Sequence, residues 1–163
     1  KLLTPATICY AVPLYRQIEI LKKQFVTIMI SVACGSIASV LCVFGFSKLF
    51  HYPPEIYTAL LPKSVTTAIG MGVSEELGGI VPITVAAIIV TGLFGSAIAV
   101  AICRLFKITD PVAKGLAIGT ASHAVGTSKA IELGEVEGAM SGLAIVVAGL
   151  LTVVLSQIAS GWI

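Results

Sequence analysis

The sequence predicts an all-α membrane protein with several spans, and three observations carry that expectation. Hydrophobic residues make up 57% of the chain and charged residues 11%, with a mean hydropathy of +1.05; soluble domains run at roughly 45–50% apolar and about 25% charged. Residues 25–46, 80–103 and 139–158 contain no Lys, Arg, Asp or Glu, and each is long enough to cross a hydrocarbon layer of about 30 Å, which takes about 20 apolar residues as a helix. At that depth no water satisfies backbone N–H and C=O groups, and the period-two alternation of a barrel strand is absent, so the spans are read as helices.

The remaining elements follow in order. Residues 2–15 are apolar but carry Pro5 and Pro13, each lacking a donor and clashing with the preceding turn, which predicts a broken element. Arg16, Glu19, Lys22 and Lys23 form a polar loop before the first clean span. Lys48, His51, Pro53, Pro54 and Glu55 mark an interface after it. Residues 56–73 are interrupted by Pro62, Lys63, Gly70 and Gly72 and closed by Glu75, Glu76, Gly78 and Gly79, too punctuated for a straight span. Beyond the second clean span come a loop of Arg104, Lys107, Asp110, Pro111 and Lys114, a third interrupted element over residues 115–130, and an acidic turn of Glu132, Glu135 and Glu137.

One internal similarity stands out. Residues 11–20 align without gaps to residues 124–133, with Ala, Val, Ile and Glu recurring, Arg16 over Lys129 and Pro13 over Gly126. Copies near residues 1–50 and 115–160 would each be an interrupted element joined to a clean span. Lys and Arg collect in cytoplasmic loops, so the loops holding Arg16, Lys22, Lys23 and Arg104, Lys107, Lys114 are both placed inside and the acidic turn outside. The two copies then cross in opposite senses, as inverted repeats with interrupted transmembrane helices, and residues 56–73 must start and finish on one face as a hairpin. The whole of residues 1–163 reads as one transmembrane domain, and Lys1 at the first position leads us to expect a fragment lacking its N-terminus.

Several function classes fall away. A net charge of +2 spread over short loops gives no footprint for nucleic acid. Cys9, Cys34, Cys42 and Cys103 lack CxxC spacing and are expected to be reduced, buried small hydrophobes. No metal-ligand cluster or nucleophile motif occurs, and Gly70-Met71-Gly72 lacks the third glycine and the strand of a dinucleotide fingerprint. Neither an enzyme nor a cofactor is expected.

Chemistry is expected where helices break, because a break exposes unpaired N–H groups that hold an anion, and in transporters such breaks meet near mid-bilayer. Leu61-Pro62-Lys63-Ser64-Val65-Thr66-Thr67 offers a cation among hydroxyls. Gly119-Thr120-Ala121-Ser122-His123-Ala124-Val125-Gly126-Thr127-Ser128-Lys129 offers hydroxyls, an imidazole and a cation around two glycines. Blander readings stand beside these. Such hydroxyls often bond only a carbonyl one turn back, Lys63 and Lys129 could snorkel to an interface, and His123 could be a packing residue. Glu75 and Glu76 read as interfacial, with either able to pair with Lys63. Gly35 with Ser39, Gly92 with Ser96, and Gly95 with Ala99 read as close helix contacts.

At these residues the chain resembles the LrgB/CidB family, the larger partner of the LrgA/CidA holin-like membrane proteins. The matching blocks are Leu3-Thr4-Pro5-Ala6-Thr7 with Ala11-Val12-Pro13-Leu14-Tyr15, the Lys63-Ser64-Val65-Thr66-Thr67 block, the block from Gly119 to Thr127, and Glu137-Gly138-Ala139. Where members often have Pro after the Thr-Thr pair, this chain has Ala68, and the further pair of spans with which members usually begin is absent. The resemblance implies a multi-pass bacterial inner-membrane protein acting on small monocarboxylates of the pyruvate or glycolate type, as does the related plastid glycolate/glycerate carrier, and linked to control of murein hydrolase activity and lysis. The alternative is an antiholin or holin-type pore, or a regulatory membrane subunit without transport. Partners would be the carboxylate, an LrgA/CidA-like small protein and the bilayer, with a homo-oligomer compatible. The expected binding residues are Thr4, Pro5, Lys63, Ser64, Thr66, Thr67, Gly119, Thr120, Ser122, His123, Gly126 and Thr127.

Overall fold

The structure, a computed structural model, describes Tyr15 and residues 17–163. Among them there is no strand. The helices are α1 (Ile18–Lys23), α2 (Phe25–Phe50), α3 (Pro54–Leu60), α4 (Thr67–Glu76), α5 (Val81–Leu105), α6 (Pro111–Leu133) and α7 (Glu135–Ser160). Three are long and apolar enough to cross a membrane: α2, α5 and α7, with mean hydropathies of 2.3, 2.4 and 2.3. At 26, 25 and 26 residues they extend about 39 Å each, and each helix runs past its charge-free stretch at one or both ends. Lys48, Arg104, Glu135 and Glu137 lie inside helix termini, where a terminal turn still reaches headgroups. Much of the apolar surface points outward, for example Phe94 at 67% and Leu150 at 69% exposed, as a lipid-facing surface should. The chain is a membrane protein.

α2 and α7 run side by side in the same direction. Ile28 and Val32 share a core with Ala139, Met140 and Ala144 at one end. At the other, Val40 and Val43 share a core with Tyr57 and Ala159, and the Tyr57 hydroxyl donates to the Ala159 carbonyl at 2.8 Å. α5 runs back between these ends.

α3 and α4 form a hairpin that starts and finishes at the end of the bundle where α2 stops. The expectation for residues 56–73 therefore agrees with the geometry. At its base Ile80 N–H donates to Glu55 O at 3.4 Å, and the Thr84 hydroxyl donates to Ala59 O at 2.9 Å while lying 2.7 Å from the Ser74 hydroxyl. A β-carbon on Gly79 would stand 2.7 Å from Ala59 N, so only glycine lets the base close this tightly. The arms have 7 and 10 residues, about 10 and 15 Å, a third and a half of what a crossing of about 30 Å needs. Glu75 and Glu76 sit at this base, at the far end of α4 from Lys63, and do not pair with it. They are exposed.

α6 corrects an expectation. Its backbone leaves helical geometry at His123, with φ 42° and ψ −135°, and the chain reverses there. The position of a β-carbon on Gly126 falls 3.1 Å from Ile118 O and 3.0 Å from Ile118 Cγ2, whereas residues eight apart in a straight helix are separated by about 12 Å. Ser141 meets both Gly119, on the outgoing arm, and Thr127, on the returning arm. Residues 115–130 thus enter and leave at one end instead of crossing. The acidic residues Glu132 and Glu135 lie at the same end as Arg104, Lys107 and Lys114, since Leu133, Arg104 and Lys114 border one cavity. The acidic turn shrinks to Gly134 alone, because α7 starts at Glu135. Lys114 likewise belongs to the first turns of α6, where Asp110 caps the helix by accepting from Ala113 N–H at 2.8 Å and Pro111 occupies N1, a favoured start.

Other expectations shift as well. Cys34 and Cys42 are exposed and only Cys103 is buried among the described cysteines. Residues 2–14, including Thr4, Pro5, Cys9 and Pro13, lie outside the described residues, and so does most of the first proposed repeat copy's interrupted element.

Candidate functional site

The two hairpins enter from opposite ends and their tips both reach the middle of the spans. The first tip, residues 61–66, forms because Pro62 has no N–H to continue α3 and Thr66 is extended, with φ −67° and ψ 149°. Lys63 N–H bonds Leu60 O at 3.2 Å and Val65 N–H bonds Pro62 O at 3.3 Å, so the tip satisfies part of its own backbone. This turn aims Lys63 at α2. Its ammonium donates to Ser39 Oγ and Ser64 Oγ, both at 3.2 Å, and the two hydroxyls are 2.8 Å apart. Ser39 lies near the midpoint of α2, which sets the cation midway along that span.

The second tip is held by α5. His123 Nε2 is 3.0 Å from Ile88 O, and the ring packs on Gly92 near the midpoint of that helix. Ser122 lies against Gly95, and Ala99 shares a core with Ile118 and Ala130. The small residues of α5 therefore do make close helix contacts, with the second hairpin as their partner. Thr127 donates to His123 O at 3.0 Å and shares a 2.7 Å hydrogen bond with Ser141 on α7.

Between the tips lies a cavity of about 640 Å³. α2 contributes Ser31, Gly35, Ser39 and Cys42, the first tip Lys63 and Ser64, α5 Thr91 and Gly95, and the outgoing arm of α6 Thr120 and Ala121. Thr120 stands over Gly35, where a β-carbon would come within 2.8 Å of its Cγ2. The site offers one cation, several hydroxyls and apolar walls, a constellation suited to a small anion of mixed polarity. Among the described residues no carboxylate pairs with Lys63, and no group of His, Cys, Asp and Glu could hold a metal ion.

The sequence-derived residues divide three ways. Lys63, Ser64 and Thr120 line the cavity. Thr66 ends the tip and Thr67 starts α4, while Gly119, Ser122, His123, Gly126 and Thr127 are buried where the second hairpin packs on itself, on α5 and on α7. Thr4 and Pro5 are outside the described residues. Lys129 pairs with Glu132 at 2.6 Å on the exposed surface and does not line the cavity. Sequence reasoning missed Thr91 and read Ser39 only as a helix contact with Gly35; the one signal of either as a site residue is a hydroxyl midway along a charge-free span.

The LrgB-like family model matches residues 1–162. The antiholin-like protein LrgB of Bacillus cereus (strain B4264) is 43% identical over 152 residues, covering 93% of this chain and 66% of that protein. The antiholin-like protein LrgB of Bacillus anthracis (strain CDC 684 / NRRL 3495) matches with the same identity and coverage. This chain thus spans just under two thirds of the length of these curated relatives. No solved structure matches it. With the family model covering nearly every residue and two opposed hairpin tips built from the blocks that carried the resemblance, this chain belongs to the LrgB-like family.

Proposed function

We propose that the protein carrying this chain moves a small monocarboxylate of the pyruvate or glycolate type across the bacterial inner membrane, without catalysing a reaction. One observation carries the reading: Lys63 is held near mid-depth beside a cavity, partnered by the hydroxyls of Ser39 and Ser64. A charge at the bilayer centre costs about 2.5–3.5 kcal/mol on insertion scales and marks a substrate or ion path when retained. A carboxylate entering the cavity would supply the missing countercharge. Ser39, Ser64, Thr91 and Thr120 would donate to its oxygens. The cavity's volume leaves room for a short carbon chain with accompanying water, consistent with a small substrate. In this reading the end of the bundle holding Lys22, Lys23, Arg104, Lys107 and Lys114 faces the cytoplasm.

A second reading rests on the antiholin-like name of the relatives: the protein takes part in controlling murein hydrolase activity and lysis, together with an LrgA/CidA-like small membrane protein. Transport and lysis control are compatible, since metabolite flux could set the lytic response. The test is uptake into proteoliposomes by the full-length protein, with and without the small partner. Saturable entry of pyruvate or glycolate that disappears in Lys63→Ala supports transport. Unsaturable leakage of dyes supports a holin-type pore, and partner binding without any flux supports a regulatory subunit; either result defeats the transport reading.

A further inference from the structure

A second cavity, of about 580 Å³, opens at the end of the bundle where α5 finishes and both arms of the α6 hairpin are rooted. Its charged wall is Arg104, Lys107 and Lys114, with Thr109 beside them, and its apolar wall includes Val100, Ile108 and Leu133. The backbone builds this cluster. α5 closes with Lys107 N–H to Arg104 O at 3.1 Å and Ile108 N–H to Cys103 O at 2.8 Å, the paired bonds of a helix stop that needs one left-handed residue and usually takes glycine. Here that residue is Lys107, with φ 53°, so a cation is kept at a conformational cost. Lys114 sits near the start of α6, where the helix's positive pole already disfavours a cation, and an anion bound there would be attracted by both.

Two of the nearby carboxylates are otherwise engaged. Asp110 caps α6 through Ala113 N–H, and Glu132 pairs with Lys129. Among the described residues none of the three cations makes an ion pair. Leu105 and Phe106, at the same level, are 76% and 69% exposed, so the cavity adjoins lipid-facing surface at the depth where a span ends and headgroups begin. Cations at headgroup level above an apolar wall match a phosphate group with acyl chains beneath it, and basic pockets between transmembrane helices bind anionic headgroups. We propose that Arg104, Lys107 and Lys114 form a binding site for the phosphodiester headgroup of an anionic phospholipid. This assignment is independent of what the central cavity carries.

The full-length protein in mild nonionic detergent, titrated with phosphatidylglycerol or with phosphatidylcholine of the same acyl chains and read by native mass spectrometry and thermal melting, provides the test. Phosphatidylglycerol is expected to be retained and to raise the melting temperature where phosphatidylcholine is not. Each of Arg104→Gln, Lys107→Gln and Lys114→Gln should weaken retention about fivefold, and the triple variant roughly a hundredfold, while Lys107→Arg with Lys114→Arg keeps it. Equal retention of the two lipids overturns the proposal, as does an unchanged affinity in all three single variants, which remain informative if the triple variant does not fold. Inorganic phosphate that stabilises equally without lipid, or displaces the bound phosphatidylglycerol at millimolar concentration, would show the site to serve a soluble anion and overturn the lipid assignment.

Discussion

The imidazole of His123 lies directly on the backbone of Gly92: a β-carbon there would come within 2.6 Å of Cε1 and 2.9 Å of Nε2. The ring is fixed by its contact with Ile88 O and cannot retreat without losing it. Gly92→Ala should therefore destabilise the protein by about 1–3 kcal/mol through overpacking. Gly45, with open space around its β-position, is the control, because Ala there should stabilise the helix by roughly 0.5–1 kcal/mol. Melting both variants in detergent checks the pair, and an equal response at the two sites would contradict the packing.

His123 itself carries a backbone conformation that L residues rarely adopt. Replacing it by glycine removes the ring but relieves the backbone, whereas alanine removes the ring and keeps the strain. His123→Gly should thus be more stable than His123→Ala by about 1–2 kcal/mol. An alanine variant as stable as the glycine one would argue for a continuous helix through this position.

Lys63 invites a comparison of stability with function. Lys63→Met retains the length of the side chain and removes a charge whose placement at depth costs about 2.5–3.5 kcal/mol, so melting should stay level or improve. Carboxylate uptake by the full-length protein should fall at least about tenfold, the loss expected for about 1.4 kcal/mol of binding or more. Ser39→Ala should give a smaller loss of the same kind, since it removes one of the ammonium's two hydroxyl partners.

Hairpin topology can be read from labelling. In a background without native cysteines, Lys114→Cys and Glu132→Cys should react with a membrane-impermeant maleimide from one side, and Glu55→Cys and Glu76→Cys from the other. Finding residues 114 and 132 on opposite sides would restore a crossing helix for α6 and undo the reversal at His123.

The Thr127 and Ser141 hydroxyls, both fully buried and 2.7 Å apart, tie the returning arm of α6 to α7. A cycle of Thr127→Val, Ser141→Ala and the double variant should yield a coupling of about 0.6 kcal/mol, with about 1.7 as the upper bound seen for such pairs in membrane proteins. A coupling near zero would mean that other contacts hold the arm.

The spans and the first tip were legible because their signals are unambiguous: runs without charge, and a proline followed by a cation among hydroxyls. The reversal at His123 was not. Its neighbourhood is as helix-compatible as any interrupted segment, and the residue that turns the chain is a histidine with positive φ, where glycine would have been the visible sign. The glycines that are present, Gly119 and Gly126, serve close approach, the first to Ser141 and the second to Ile118 and Ser122. Placing the acidic residues on the face opposite Arg104 followed from assuming that the element crossed. Ser39 and Thr91 were hidden for another reason. A hydroxyl inside an apolar helix reads the same whether it bonds a carbonyl one turn back or meets a cation from a distant segment, and only tertiary placement separates the two.

The shortness of the hairpin arms dictates an order of assembly. Segments of 7 and 10 residues cannot insert as independent spans, and an unwound tip such as residues 61–66 exposes peptide groups that lipid will not solvate. Each hairpin has to wait for a protein-lined socket. The first needs α2, α5 and α7 together, because Lys63 meets Ser39, Thr84 meets Ala59, and Tyr57 meets Ala159. During synthesis the Pro54–Leu60 segment therefore leaves the ribosome long before the helix that will shelter it, and must idle at the membrane surface until α7 has been made.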